Sequence, residues 1–464
     1  MKMGEIERLP ALGGEGGDGG GGGGGGQVRR IAVIGGGIAG LSSAWLLAPQ
    51  HRVTLFEGGS YVGGHTNTVD VTVDGLTHPV DTGFLVFNRR TYPNLCALFA
   101  LLQVEAVETE MSFGLSLAEP ELEWAGSDLG TVFAQRTNLL RPAFLGMLRD
   151  ILRFNRETTR MARDGTMPAL SLGDYLAIEG YGEAFRDWYL LPMAAAIWSC
   201  PTRSMLDYPL ATFVQFCHNH GLLQIFDRPK WMTVKGGGRS YVRKMLARLD
   251  DVRVNAPVRR VVRNADGVWV NTADGPERFD EVVFACHSDQ TLAILGSEAS
   301  AEERRILGAV SYQPNVAWLH TDPALLPRRR AVWSAWNYLA GQGAPDARPV
   351  SVSYLINRLQ PLPFETPVVV SLNPFTEPAA AHTIRRIEYA HPVFDHGAID
   401  AQAALPALQG RNRSWFAGAW TGYGFHEDGL KSAVAVVEAM GVEVPWRRGR
   451  VPAAKRAGTA LEAA

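Results

Sequence analysis

Charge of one sign is missing from this chain. Its 45 lysines and arginines nearly balance 47 aspartates and glutamates, for a net charge of -2. No basic stripe stands out, so nothing points to nucleic acid as a partner. Cysteine is scarce. The four present, Cys96, Cys200, Cys217 and Cys286, include no C-x-x-C pair, which excludes a disulfide scaffold and leaves reduced, buried thiols. No metal site is expected, since His218 and His220 stand two apart with no carboxylate motif beside them. Long hydrophobic runs are absent too. No stretch of about 18 uninterrupted apolar residues occurs, and no signal-type apolar segment. The expectation is a cytoplasmic protein, at most peripheral on a membrane. Lysine is lacking between Lys244 and Lys431, an absence that acquires meaning below.

What is there suffices for two or three domains in 464 residues. A glycine-dominated stretch from Gly13 to Gly26 cannot bury apolar surface and reads as a disordered tail. Pattern begins at "VRRIAVIGGGIAGLSSAWLLAP". Ile31 to Ile34 suits a buried parallel strand. Gly35, Gly37 and Gly40 form G-x-G-x-x-G, a Leu/Ala-rich helix follows, and a second strand ends at Glu57, 20 residues after Gly37. Each part has a job in dinucleotide binding. Gly35 permits the tight turn, Gly37 lets backbone amides approach a pyrophosphate, and Gly40 allows close helix–strand contact. The helix N-terminus supplies partial positive charge, and Glu57 suits the hydroxyls of an adenosine ribose. Gly63 and Gly64 follow in "GGSYVGGHTNTVDV", a second pair able to approach phosphate. "TVKGGGRSYV" offers Gly236 and Gly238 without a third glycine in register and reads as a structural loop.

Residues 31 to 68 resemble the opening of the flavin-containing amine oxidase superfamily, which includes amine oxidases, phytoene-type desaturases, protoporphyrinogen oxidase and a fatty acid isomerase. The likeness resumes at "PVRRVVRNADGVWVNTADG" and "FDEVVFACHS" and closes with "WFAGAWTGYGFHEDGLKSAVAVV". "VDTGFLVFN", "RTYPN", "NRLQ" and "GYGFHEDGLKS" resemble, more narrowly, a bacterial subgroup of NAD/FAD-binding oxidoreductases whose neighbouring genes often encode fatty-acyl-modifying enzymes. The resemblance implies non-covalently bound FAD. It implies contacts through Gly35, Gly37, Ile38, Ala39, Gly40, Glu57, Gly63, Gly64, His65, Val258 on a strand meeting the adenine, Gly418, Asp428 as a helix cap, Gly429 and Leu430. The last helix would aim its N-terminus at the flavin.

Two departures from the family bear on chemistry. Amine oxidases hold a lysine near the flavin; the matching region, "SYQPNVAWLHTD", has none. Where they place a ring wall, this chain has His426, the candidate catalytic residue, because imidazole carries protons near neutral pH. The implied fold is α/β, a discontinuous Rossmann-like FAD-binding domain (28–115, 231–310 and 410–443) with an α+β substrate domain (116–230 and 311–409). Tails would span 1–27 and 444–464. Aromatics are dense from Phe185 to Trp231 and from Trp318 to Tyr354, as core or as the lining of an apolar tunnel. The segment "NLLRPAFLGMLRDILRFNRETTRMARDG" interleaves leucines with arginines, a pattern for a domain helix or for a membrane surface. The expected activity is FAD-dependent removal of hydride from a C–H bond, with desaturation or isomerisation of a lipid acyl chain. A peroxide-forming amine oxidase and a non-catalytic FAD-binding subunit of a lipid-modifying complex stay open, as do the electron acceptor and the oligomeric state.

Overall fold

A computed structural model describes residues 27–198, 205–223, 229–343 and 350–447. Cys200, Phe226, the glycine stretch and most of the basic C-terminal segment lie outside the described residues.

The run RIAVI is apolar because it lies in the middle of a sheet. Strand Arg30–Ile34 pairs in parallel with Arg52–Phe56 on one side and Glu281–Phe284 on the other. Asp251–Arg253 and Ser414–Phe416 complete five parallel strands, in the order 251–253, 52–56, 30–34, 281–284, 414–416. A parallel sheet needs cover on its faces. Here the helix Ile38–Leu47 provides it, and all ten of its residues are buried. The C-terminal helix His426–Ala439 packs on it. Strands Arg260–Asn264, Gly267–Thr272 and Gly275–Phe279 form an antiparallel meander beside the sheet. This is the expected α/β architecture.

A second sheet has seven strands, in the order 383–393, 311–320, 369–372, 350–355, 336–340, 113–117, 122–125. Its longest pairing joins Ser311–His320 to Thr383–Val393, antiparallel, with Asn315 opposite Tyr389 and Gln313 opposite His391. The helix Pro142–Asp164 leads a helical region packed beside this sheet. Among the described residues no helix is long and apolar enough to cross a membrane. The predicted loop at Gly236–Gly238 is structural. Gly237 and Gly238 pack against Thr68, Thr66 and Asp81, and the Gly238 N–H donates to the Asp81 carboxylate at 3.0 Å.

Candidate active site

The end of the first strand opens onto a cavity of about 1270 Å³. Gly35 turns the chain at φ 105°. A Cβ there would lie 2.9 Å from Ala285, and one on Gly40 only 1.8 Å from the Gly35 carbonyl oxygen. Gly37, by contrast, has nothing within 4 Å of its would-be Cβ and lines the cavity with Ile38 and Ala39. No side chain caps this helix start. Its first-turn N–H groups therefore lack side-chain partners where the wall is open, the arrangement that receives a pyrophosphate. Glu57 ends the second strand and accepts the Gly36 N–H at 2.8 Å and the Gly59 N–H at 2.7 Å. Those bonds fix its carboxylate at the rim and leave lone pairs for ribose hydroxyls. Gly64, at φ 56°, approaches Gly37 so closely that a Cβ would stand 3.0 Å from the Gly37 Cα. The two glycine motifs thus meet in one cradle, and these residues fit FAD.

The structure brings Gly35, Gly37, Ile38, Ala39, Glu57, Gly63, Gly64, His65, Val258, Gly418 and His426 onto one cavity wall. Gly40, Asp428, Gly429 and Leu430 stand behind it. Gly40 and Gly429 pack helix against neighbour, Gly429 so tightly that a Cβ would meet Ile38 at 2.7 Å. Val258 lies in the loop before Arg260–Asn264, not on a strand, because the meander begins two residues later. Asp428 caps the helix from its third position rather than from the N-cap. The helix starts at His426 with Phe425 as N-cap, and Asp428, in its first turn, accepts the N–H groups of Tyr423 at 3.1 Å and Phe425 at 3.0 Å. Burial pushes its pKa up to about 6. The adjacent Glu427 fastens another helix start, accepting the N–H groups of Asn94 and Leu95 at 2.9 Å each.

His426 lines the cavity yet is only 9% exposed. Its ring stacks on Phe84 with centroids 3.9 Å apart, and Nε2 lies 2.6 Å from the Tyr241 hydroxyl and 3.3 Å from that of Thr66. Burial pushes its pKa down to about 3. The expectation of a group titrating near neutrality is therefore corrected: His426 is a neutral imidazole. Tyr241 and Thr66 escaped sequence reasoning, since contacts across 185 and 360 residues leave no local signal.

Five histidines line the cavity: His65, His220, His287, His391 and His426. Burial, the largest cause in each case, pushes all five below their ordinary value. Among the described lining residues there is no lysine, arginine or aspartate, and the two acids are Glu57 and Glu388. Glu388 is exposed and paired with Arg386 at 2.6 Å. Phe84, Phe216, Trp231, Trp336, Tyr354 and Phe394 supply apolar wall from both aromatic clusters and beyond. Among the described lining residues, Glu57 at the cofactor end and the ion-paired Glu388 are thus the charged side chains, and burial holds the histidines toward their neutral form.

A parallel sheet, a glycine cradle at its switch point and an acid at the end of the second strand define a dinucleotide-binding protein. The family model for flavin-containing amine oxidoreductases matches residues 38–329, more than half of the chain. The chain belongs to this family of FAD-dependent oxidoreductases. It is 29% identical over 320 residues to a carotenoid phi-ring synthase of Streptomyces griseus, covering 64% of this chain and 59% of that one. It thus spans under two thirds of that relative's length. Solved structures with the same fold include a conjugated-linoleic-acid-producing fatty acid isomerase from P. acnes, with TM-score 0.64, 17% identity and coverage of 89% and 98% of the two chains. A putrescine oxidase bound to putrescine gives TM-score 0.64 at 16% identity, covering 90% and 100%. At these identities the likeness is one of fold.

Proposed function

We propose that this chain removes hydride from a C–H bond of an apolar, chain-like lipid and desaturates or isomerises it, an acyl chain being the substrate class favoured. The observation that carries the reading is the described lining of the cavity: large, aromatic-walled and, beyond Glu57 at the cofactor end and the ion-paired Glu388, without a carboxylate to receive an ammonium. A charged polyamine would lose its hydration there with no counter-charge to offset the cost. The carotenoid phi-ring synthase sequence agrees with an apolar substrate, while the fold, shared equally by the fatty acid isomerase and the putrescine oxidase, favours neither.

Bound FAD supplies the redox centre that accepts the hydride. The chain's own groups do the rest. Gly37, Ile38 and Ala39 present amides to the pyrophosphate, Glu57 holds the ribose, and the Gly63–Gly64 pair closes the cradle. The aromatic wall excludes water. His426 stands at the cavity wall as a neutral imidazole, its Nε2 held by the Tyr241 and Thr66 hydroxyls, and orients the bound groups rather than taking a proton.

The lipid reading extends to the surface. On the helix Pro142–Asp164, Leu145, Arg149, Leu152, Arg156, Arg160 and Arg163 are exposed at steps of three or four residues, opposite buried Phe144, Met147 and Phe154. Leu139 and Leu140, just before it, are 47% and 86% exposed. Such a face suits an anionic lipid surface.

The test is anaerobic titration of the FAD-loaded protein with an unsaturated phospholipid and, separately, with an amine panel, following the oxidised flavin band. Bleaching by lipid, or a moved double bond in the recovered lipid without bleaching, is the expected result. Bleaching by amines alone overturns the lipid reading, and no change of either kind overturns the enzymatic one.

A further inference from the structure

The cavity wall carries a polar chain that the reading above leaves unused. Asn315 is 1% exposed on the strand Ser311–His320. Its diagonal neighbour across the antiparallel pair is His391, on the same face, and both line the cavity. The Asn315 Nδ2 donates to the Gln313 carbonyl at 3.1 Å and lies 3.0 Å from the His391 Nδ1. Its Oδ1 accepts from the Asn373 Nδ2 at 2.6 Å. The Asn373 Oδ1 in turn accepts the Val316 N–H at 2.8 Å, while the Asn373 N–H donates to the Val316 carbonyl at 2.8 Å.

These bonds settle which atom is which. A backbone N–H only donates and a backbone carbonyl only accepts. Val316 therefore turns the Asn373 oxygen toward itself, and Gln313 independently turns the Asn315 amide nitrogen toward His391. The ring nitrogen facing that NH2 group must be an acceptor, so the proton of a neutral ring sits on Nε2. Asn373 stands at φ 48°, a left-handed conformation that costs a non-glycine residue roughly 1 kcal/mol. Strain in a residue that orients a cavity side chain is a pointer to function.

The groups facing His391 reinforce the neutral form. The His65 ring lies 5.2 Å away and the Tyr389 ring 6.4 Å away, and His287, stacked on Tyr312 at 4.3 Å, acts electrostatically from a neighbouring element. Burial, then His287, pushes the His391 pKa down to about 4. Its Nε2 makes no hydrogen bond with the described residues.

We propose that His391 is a ligand-binding residue of the cavity, locked by Asn315 and Asn373 as a neutral Nε2–H imidazole, and that it donates to an uncharged acceptor atom of cofactor or substrate. Asn315 and Asn373 are its positioning residues. An ammonium finds no acceptor at this point, whereas a carbonyl oxygen or an unprotonated ring nitrogen finds a donor. Naming an acyl carbonyl as the substrate form rests on the lipid reading; the tautomer lock does not.

The test uses FAD-loaded protein labelled with 15N-histidine, the His391 signal being assigned by its loss in His391→Gln. The expected wild-type ring is Nε2–H from pH 8 to pH 6; an Nδ1–H or protonated ring overturns the proposal. In Asn315→Asp the carboxylate demands an Nδ1–H, so the tautomer inverts. His391→Leu and His391→Gln then separate donor from bulk, and need no Asn315 variant to fold. Two readouts locate the acceptor. A shift of the flavin band or midpoint potential in His391→Leu without lipid assigns it to the cofactor. A loss of about two- to tenfold in the preference for methyl oleate over 1-octadecene, the worth of one hydrogen bond, assigns it to a substrate carbonyl. His391→Gln, which keeps a donor, retains most of either effect. If His391→Leu moves neither readout in folded, FAD-loaded protein that turns over the lipid, the donor role is wrong; where the lipid is not turned over, the tautomer and the flavin readout decide it.

Discussion

Glu57 spends one lone pair of each carboxylate oxygen on a backbone amide, and so is rigid before any ligand arrives. Replacing it removes two hydrogen bonds accepted by a charged carboxylate as well as the proposed ribose contact. Glu57→Ala is expected to weaken FAD binding by about ten- to a hundredfold, since hydrogen bonds to a charged group are worth roughly 1.5–3 kcal/mol. Quenching of flavin fluorescence on titration into the apoprotein measures this, and unchanged affinity would remove Glu57 from the cofactor site. At Tyr241 the outcome is different in kind. The Tyr241 hydroxyl is the shorter partner of the His426 Nε2, at 2.6 Å against 3.3 Å for Thr66. Tyr241→Phe leaves a buried ring nitrogen with a poor partner, at a cost of about 1–3 kcal/mol. A lower melting temperature with FAD still bound is expected; an unchanged one means that Thr66 alone suffices.

At the scale of the element, the helix Pro142–Asp164 carries the surface prediction. Its inward face is built from Phe144, Met147, Phe154 and Thr158, so changing the outward leucines leaves the packing intact. Leu140→Ser combined with Leu145→Ser and Leu152→Ser is expected to reduce sedimentation with phosphatidylglycerol vesicles about tenfold or more while leaving FAD content unchanged. Binding to those vesicles should also fall as salt rises, each arginine near an anionic surface being worth about 1 kcal/mol. Vesicle binding that ignores the substitution would dismiss this face. Elements like this one were legible because their signal is local: apolar spacing for the helix, an apolar run for the central strand, a glycine pattern for the turn between them. The chain Asn373–Asn315–His391 was not. It depends on the register of strands separated by 58 and 76 residues, and a slip of one residue would turn the same side chains to the opposite face. Sequence also misjudged the last helix, where Asp428 resembles an N-cap by composition. The turn Gly422–Phe425 moves the start three residues earlier and turns the acid back onto that turn. The pKa of His426 was out of reach for a related reason: burial by Phe84 and Tyr241 is a tertiary fact.

For the whole molecule, buried neutral histidines set the response to acid. His320 is 0% exposed, with Nδ1 accepting the Asp322 N–H at 3.0 Å and Nε2 2.9 Å from the Ser371 hydroxyl. Its pKa is pushed from 6.5 down to about 4, as that of His391 is, and that of His426 to about 3. A depressed folded-state pKa means that the unfolded chain binds the proton first, so stability is full above pH 6.5 and drains as pH falls toward 4. Asp81 and Asp428, pushed up to about 6 by burial, act in the opposite sense as pH falls through 6 toward 3.8. The melting temperature should therefore fall as pH drops from about 7 toward 4, less steeply than the histidines alone would make it. His320→Gln, outside the cavity, should flatten that slope, and a profile as steep as the wild type's would exclude His320 as a contributor. One feature of the architecture also sets what the cofactor needs in order to stay. The cradle is a clasp of parts distant in sequence: the turn at Gly35–Gly37 on one side, and Gly418, His426 and the helix that covers Ile38–Leu47 on the other. A chain truncated before His426 keeps the glycine turn but loses its cover, and is expected to purify without flavin absorbance.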